Sequence, residues 1–128
     1  MQNYYDHTDL ERVPELVRLA PKASSSFFKF ESDVYHQETQ ITAMTKELIA
    51  IAVAHVVGCP YCIDVHFQKY FDLGGTKEEI MEAVLVAAST RAGAVLSHAT
   101  QALKSFDNKA KVKDSLESSN KAVPKCFC

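Results

Sequence analysis

The sequence predicts an all-α protein, a helical bundle of five to six helices with a Cys-x-x-Cys motif at the N-terminus of a central helix. Three observations carry this. Glycine and proline are scarce, at 4 each in 128 residues. Strand-like alternation is hard to find, and several segments repeat apolar residues at i, i+3 and i+4. After an aromatic lead-in with Tyr4 and Tyr5, Pro14 marks a first helix (PELVRLA) and Pro21 opens a second. That second helix carries Phe27, Phe28, Phe30 and Val34, which read as core. The polar stretch 37–40 interrupts the pattern before a third helix over about 43–57, apolar on nearly every side after Glu47. Such a helix must be covered all round. A bundle this small covers one helix completely only with difficulty, so subunits are expected to pack together. Gly58 is placed to end the third helix, Cys59 stands at an N-cap position and Pro60 suits the first turn of a fourth, which Gly74 and Gly75 stop. Thr76-Lys-Glu-Glu79 is a capping box for a fifth helix over at least 80–89, with Ile80, Val84, Ala87 and Ala88 to one side. Gly93 is expected to divide it from a sixth reaching about Phe106. From Asp107 the chain is polar without sustained periodicity, which predicts a domain over 1–106 and a mobile tail over 107–128.

Composition narrows the function classes. With 14 Lys+Arg against 16 Asp+Glu the formal charge is −2, and no basic block could hold a nucleic-acid backbone. The opening MQNYYDHTDLER has neither the basic region nor the apolar run of a signal peptide, which predicts a cytoplasmic protein. The longest apolar run, 48–57, is interrupted by His55 and falls short of the roughly 20 residues of a membrane span, so no membrane association is expected. The cysteines lie as one CxxC and a C-terminal pair, not dispersed like those of a disulfide-stapled secreted domain.

The stretch GCPYCIDVH, residues 58–66, admits three readings: a metal site, a redox dithiol, or two packed thiols. On a helix beginning at Cys59, Cys62 lies in the first turn and His66 one turn further on the same face, so an imidazole can reach a thiol. The first turn also presents unpaired N–H groups and the positive end of the helix dipole, which favour a thiolate over a thiol. Glu47 adds a longer-range constraint. If the third and fourth helices form a hairpin about Gly58, Glu47 lies about 18 Å back from the turn and His66 about 10 Å forward, at 1.5 Å per residue. Two side chains, with or without a bridging water, could close the difference. Glu47 would then orient His66, and His66 would take the proton of Cys62. His55 is expected to be a packed histidine, and Tyr61, Asp64 and Tyr70 to be surface or interface residues. For a zinc site, Cys59, Cys62 and His66 would need Glu47 or His55 as fourth ligand, without the second CxxC that structural sites often have.

The pattern E-x11-C-x-x-C-x-x-x-H, formed by Glu47, Cys59, Cys62 and His66 within KELIAIAVAHVVGCPYCIDVH and followed by GGTKEEIMEAVLVAASTRAG, resembles the alkylhydroperoxidase D-like branch of the carboxymuconolactone decarboxylase superfamily. The resemblance spans about 43–103. It implies an all-helical fold assembled as homotrimers or homohexamers, and a thiol-dependent peroxidase without metal or organic cofactor. It further implies that Cys62 is the peroxidatic thiol, Cys59 the resolving thiol, and Glu47 and His66 the proton relay. The partners it implies are a hydroperoxide substrate and an external thiol or dithiol reductant. The best-known members carry a second histidine between the cysteines, where this chain has Tyr61. The opening QNYYDHTDLER and CPYCID are also similar to a subgroup named for arsenosugar biosynthesis-associated peroxidase-like proteins.

Two competitors remain open on the sequence: a metal-binding module, and a redox sensor that uses the same Cys/His cluster without turnover. Cys126 and Cys128 form a terminal CxC that could exchange with the Cys59–Cys62 pair or bind a soft ion.

Overall fold

A computed structural model of the chain describes residues 3–36 and 39–121. Among these residues there is a 3-10 helix, His7–Arg12, then α1 (Val13–Leu19), α2 (Pro21–Tyr35), α3 (Ala43–Val57), α4 (Pro60–Asp72) and α5 (Lys77–Lys121), with no strand. The all-α expectation holds. The chain divides into two compact units, Met1–Ser89 and Thr90–Cys128.

In the first unit, local chemistry sets the ends that matter. Asp6 and Asp9 cap the 3-10 helix reciprocally, and proline occupies the first turn of α1, α2 and α4. Thr42 accepts the Thr45 N–H to start α3. Gly58 ends α3 with φ 72°, a left-handed conformation that costs glycine nothing, and both Gly58 and Cys59 donate N–H to the Ala54 carbonyl at 3.0 Å. The turn is tight enough to fold α3 and α4 into a hairpin, the most extensively packed pair of elements in the chain. Glu47, Ile51 and Ala54 are the buried residues of α3, and His66 and Tyr70 those of α4. These spacings of three and four put each set on one helix face, so the two buried faces form a single seam.

Tyr70 closes that seam and is 1% exposed, which overturns its reading as a surface residue. The sequence spacing Cys62, His66, Tyr70 puts it on the same stripe of α4. Its hydroxyl donates to Glu79 at 2.6 Å, and Glu79 also accepts the Thr76 N–H at 2.9 Å in the capping box that opens α5. Burial, and then this hydrogen bond, push the Tyr70 phenol up to about 12. Gly75 lies flat against the ring: a Cβ there would overlap ring carbons Cδ1, Cε1 and Cζ of Tyr70. Gly75→Ala should therefore cost about 1–3 kcal/mol by overpacking. Urea unfolding of that variant against the parent checks this, and an unchanged midpoint would show that the ring is free to shift.

The α2 aromatics are corrected in the other direction. Phe27, Phe28 and Phe30 are 56%, 41% and 65% exposed, so within one chain they are not core. On α3, Ile49, Val53, Val56 and Val57 are exposed as well. The cover that such an apolar helix needs is therefore incomplete inside a single chain.

The second unit consists, among the described residues, of α5 from Thr90 onward. The expected break at Gly93 and the expected end near Phe106 are absent, and residues 107–121 of the polar segment are helical. A single interior glycine costs only about 1 kcal/mol relative to alanine. Beyond Asp107 the helix carries an exposed Lys113–Glu117 pair at 3.9 Å, and Ser115 donates its hydroxyl to the Lys111 carbonyl at 2.8 Å. The apolar part of this helix, within Lys77–Ser119, is long and apolar enough by composition to cross a membrane, with mean hydropathy 1.4 and 6% of that window buried. Cys126 and Cys128 lie outside the described residues.

Candidate functional site

The site is built at the hairpin. Cys59 is the N-cap of α4, and its Sγ accepts the Cys62 N–H at 3.2 Å. The two cysteines, with Cα atoms 5.3 Å apart, are joined as a disulfide. Both are half-buried. One turn beyond Cys62, His66 is buried and its Nδ1 lies 2.6 Å from Glu47 Oε2. A carboxylate oxygen can only accept, so Nδ1 carries the proton and Nε2 is left as the basic nitrogen of the ring. Glu47 itself is 5% exposed. The four residues singled out in the sequence are thus brought to one place, with the Glu47–His66 contact bridging α3 and α4.

A cavity of about 310 Å³ opens beside them. Cys62 and His66 line it, with Ala54, Val53 and Val57 of α3 and Val34 and Tyr35 of α2 forming an apolar wall. Cys59 is not among its lining residues. Of the two cysteines, Cys62 is the one that lines the cavity. Lys46 also reaches the cavity and donates to the Val34 carbonyl at 2.6 Å, tying the end of α2 to α3.

Two features had no signature in the sequence. Tyr35, the last residue of α2, lays its ring near His66, with centroids 5.2 Å apart and planes at 33°. Burial, and then the nearby Glu47 charge, raise the Tyr35 phenol above its ordinary value. A single tyrosine before a polar stretch repeats with nothing, so spacing could not have found it. The other feature is the docking of the N-terminal segment on the CxxC turn. Tyr61 donates to Asp9 at 2.7 Å and meets Tyr5 edge to face, with centroids 5.3 Å apart. The Asp9 hydrogen bond is the main cause that pushes the Tyr61 phenol up to about 12. Tyr61, which stands where a second histidine would be expected, lines a different, smaller cleft with Tyr5, Asp6 and Asp64. It is directed to the N-terminal segment and stays protonated near neutrality.

His55 is exposed, not packed, and its Nδ1 donates to the Ile51 carbonyl of its own helix at 2.8 Å. Among the described residues no group of three or more His, Cys, Asp or Glu side chains is placed to hold a metal ion.

Fold and site together define an all-helical protein with a CxxC at a helix N-terminus, backed by a buried Glu–His pair. The profile of the carboxymuconolactone decarboxylase family matches residues 21–105, and the chain belongs to that family. It is 47% identical over 76 residues to an uncharacterized protein encoded in the cox locus of Paracoccus denitrificans, covering 59% of this chain and 68% of the relative. An uncharacterized protein of Cupriavidus necator is 28% identical over 100 residues, covering 78% and 88% respectively. Among solved structures, a protein from Methanobacterium thermoautotrophicum superposes with TM-score 0.62 at 30% identity, over 66% of this chain and 94% of that one. A carboxymuconolactone decarboxylase family protein from Legionella pneumophila superposes with TM-score 0.59 at 28% identity, over 77% and 88%.

Proposed function

We propose that the protein is a thiol-dependent peroxidase and disulfide oxidoreductase that reduces hydroperoxides through Cys62 and Cys59. The observation that carries the reading is the hydrogen bond from His66 Nδ1 to Glu47, which leaves Nε2 as the unprotonated nitrogen of a ring that lines the same cavity as Cys62. In the reduced protein, His66 takes the Cys62 proton. The thiolate attacks the terminal oxygen of the hydroperoxide, the O–O bond breaks, and the departing alkoxide takes a proton from the imidazolium to leave as alcohol. Cys62 is then a sulfenic acid. Cys59 attacks its sulfur, water leaves, and the disulfide forms. An external dithiol returns both cysteines to thiols by exchange, so the net reaction converts a hydroperoxide and a dithiol into an alcohol, water and a disulfide. No metal or organic cofactor takes part. The reading fits a reducing compartment such as the cytoplasm.

The same proposal includes a homo-oligomer, a trimer or hexamer. Its support is the apolar surface left open in one chain: Ile49, Val53 and Val57 on α3, each about half exposed or more, and Val95, Leu96, Leu103 and Phe106 on α5, these four each more than 60% exposed. The apolar length of α5 is read as a face between subunits and not as a membrane span.

The test is made on the reduced full-length protein with one equivalent of cumene hydroperoxide. The expected result is a Cys59–Cys62 link by peptide mass mapping, continuous turnover when dithiothreitol is in excess, and sedimentation at a multiple of the subunit mass. Thiols left unchanged by the peroxide would refute the enzyme; a single oxidation without turnover would make the protein a sensor; a monomer would refute the assembly.

A further inference from the structure

We propose that Tyr35 is a positioning residue for His66, its ring lying beside the imidazole and holding in place the imidazolium formed when His66 takes the Cys62 proton. The inference rests on the peroxidase reading, in which His66 carries a proton after Cys62 ionises.

The geometry supplies the reason. At 5.2 Å between centroids and 33° between planes, the two rings are tilted but nearer parallel than perpendicular. The face of an aromatic ring is its negative side, so a cation placed over it is attracted and a neutral ring much less so. The transfer of a proton from Cys62 to His66 turns the neutral ring into such a cation. Tyr35 thus acts on one side of the proton transfer more than on the other, which is what distinguishes positioning for chemistry from packing. Its backbone is held for the task, because Lys46 Nζ binds the carbonyl of the preceding residue, Val34.

The charges around the pair are few. From α3, Glu47 holds Nδ1 and Lys46 lines the cavity. From α4 come Cys62 and Lys69, whose Nζ lies 5.5 Å from the Tyr35 centroid. From α2, Glu31 is felt by Tyr35 itself. The 3-10 helix packed against α4 brings Asp9, which Tyr61 engages. Lys69 opposes a second cation near the Tyr35 ring, and Glu47 favours it.

The experiment follows the pH dependence of Cys62 alkylation by iodoacetamide in the reduced full-length protein, read peptide by peptide, for the parent, Tyr35→Phe and Tyr35→Leu. Tyr35→Phe keeps the ring face and should keep the parent midpoint. Tyr35→Leu should move the midpoint upward by about half to one pH unit, with peroxide turnover at neutral pH falling about 3- to 10-fold, the size expected for one partly buried cation–π contact. Where the leucine variant does not fold, Tyr35→Met makes the same comparison. A ring-less variant whose curve coincides with the parent would overturn the inference, and so would a phenylalanine variant that shifts as far as leucine, since the hydroxyl and not the face would then be responsible. The two levels separate cleanly: a parent midpoint at the ordinary thiol value of about 8.5 overturns the peroxidase reading itself, whereas a lowered parent midpoint that Tyr35→Leu leaves in place overturns only the role of Tyr35.

Discussion

Replacing Cys62 by serine should lower steady-state hydroperoxide consumption, measured with excess dithiothreitol, by at least about 10³-fold. The change is small in volume and keeps a polar group in the first turn of α4, so the hairpin should fold as before. What it removes is the only sulfur among the residues that line the cavity with His66. A serine hydroxyl is not ionised by a neighbouring imidazole to the extent a thiol is, and it cannot pass oxygen on to a second sulfur. Cys59 sits at the cap, outside that lining, and should not take over the attack. Undiminished turnover by Cys62→Ser would end the mechanism proposed above.

The second large effect is expected at Glu47. Glu47→Gln preserves shape, and the amide oxygen can still accept from His66 Nδ1, so thermal unfolding should move little. The negative charge beside the imidazole is lost, and with it the stabilisation of the protonated ring that follows proton transfer from Cys62. Turnover should fall about 10²-fold, in the range for an impaired general base. Glu47→Ala separates charge from structure: it leaves the His66 N–H unsatisfied in a buried place and should cost about 1–3 kcal/mol of stability besides. Activity of Glu47→Gln within twofold of the parent would reduce the buried pair to a structural contact.

The parts of this molecule that could be read from sequence are those fixed within a turn or two of the chain. Gly58, Cys59 and Pro60 each perform a local task, ending one helix and starting the next, and the hairpin follows from them. Glu47 and His66 could be paired on paper because the hairpin converts distance from the turn into proximity. Burial was harder to read. Phe27, Phe28 and Phe30 look like core by type, yet among the described residues they stay about half exposed. Tyr70 looks like a surface residue by type and is the most deeply buried aromatic, because it continues the stripe of Cys62 and His66. Tyr35 could not be found at all, since its meeting with His66 depends on how α2 crosses α3. The length of α5 was underread for a different reason. Gly93 stands among alanines, where one glycine does not break a helix, and the lysines and leucine of 107–121 are as compatible with a helix as with a tail.

The sulfur of Cys59 has a double duty, since it is both half of the disulfide and the acceptor for a first-turn N–H of α4, that of Cys62. By reciprocity, whatever the helix contributes to holding negative charge on that sulfur, the charge returns to the helix. Reduction that puts negative charge on this sulfur should therefore tighten the first turn at residues 59–62. Amide exchange along that first turn would then report which way the electrons have gone.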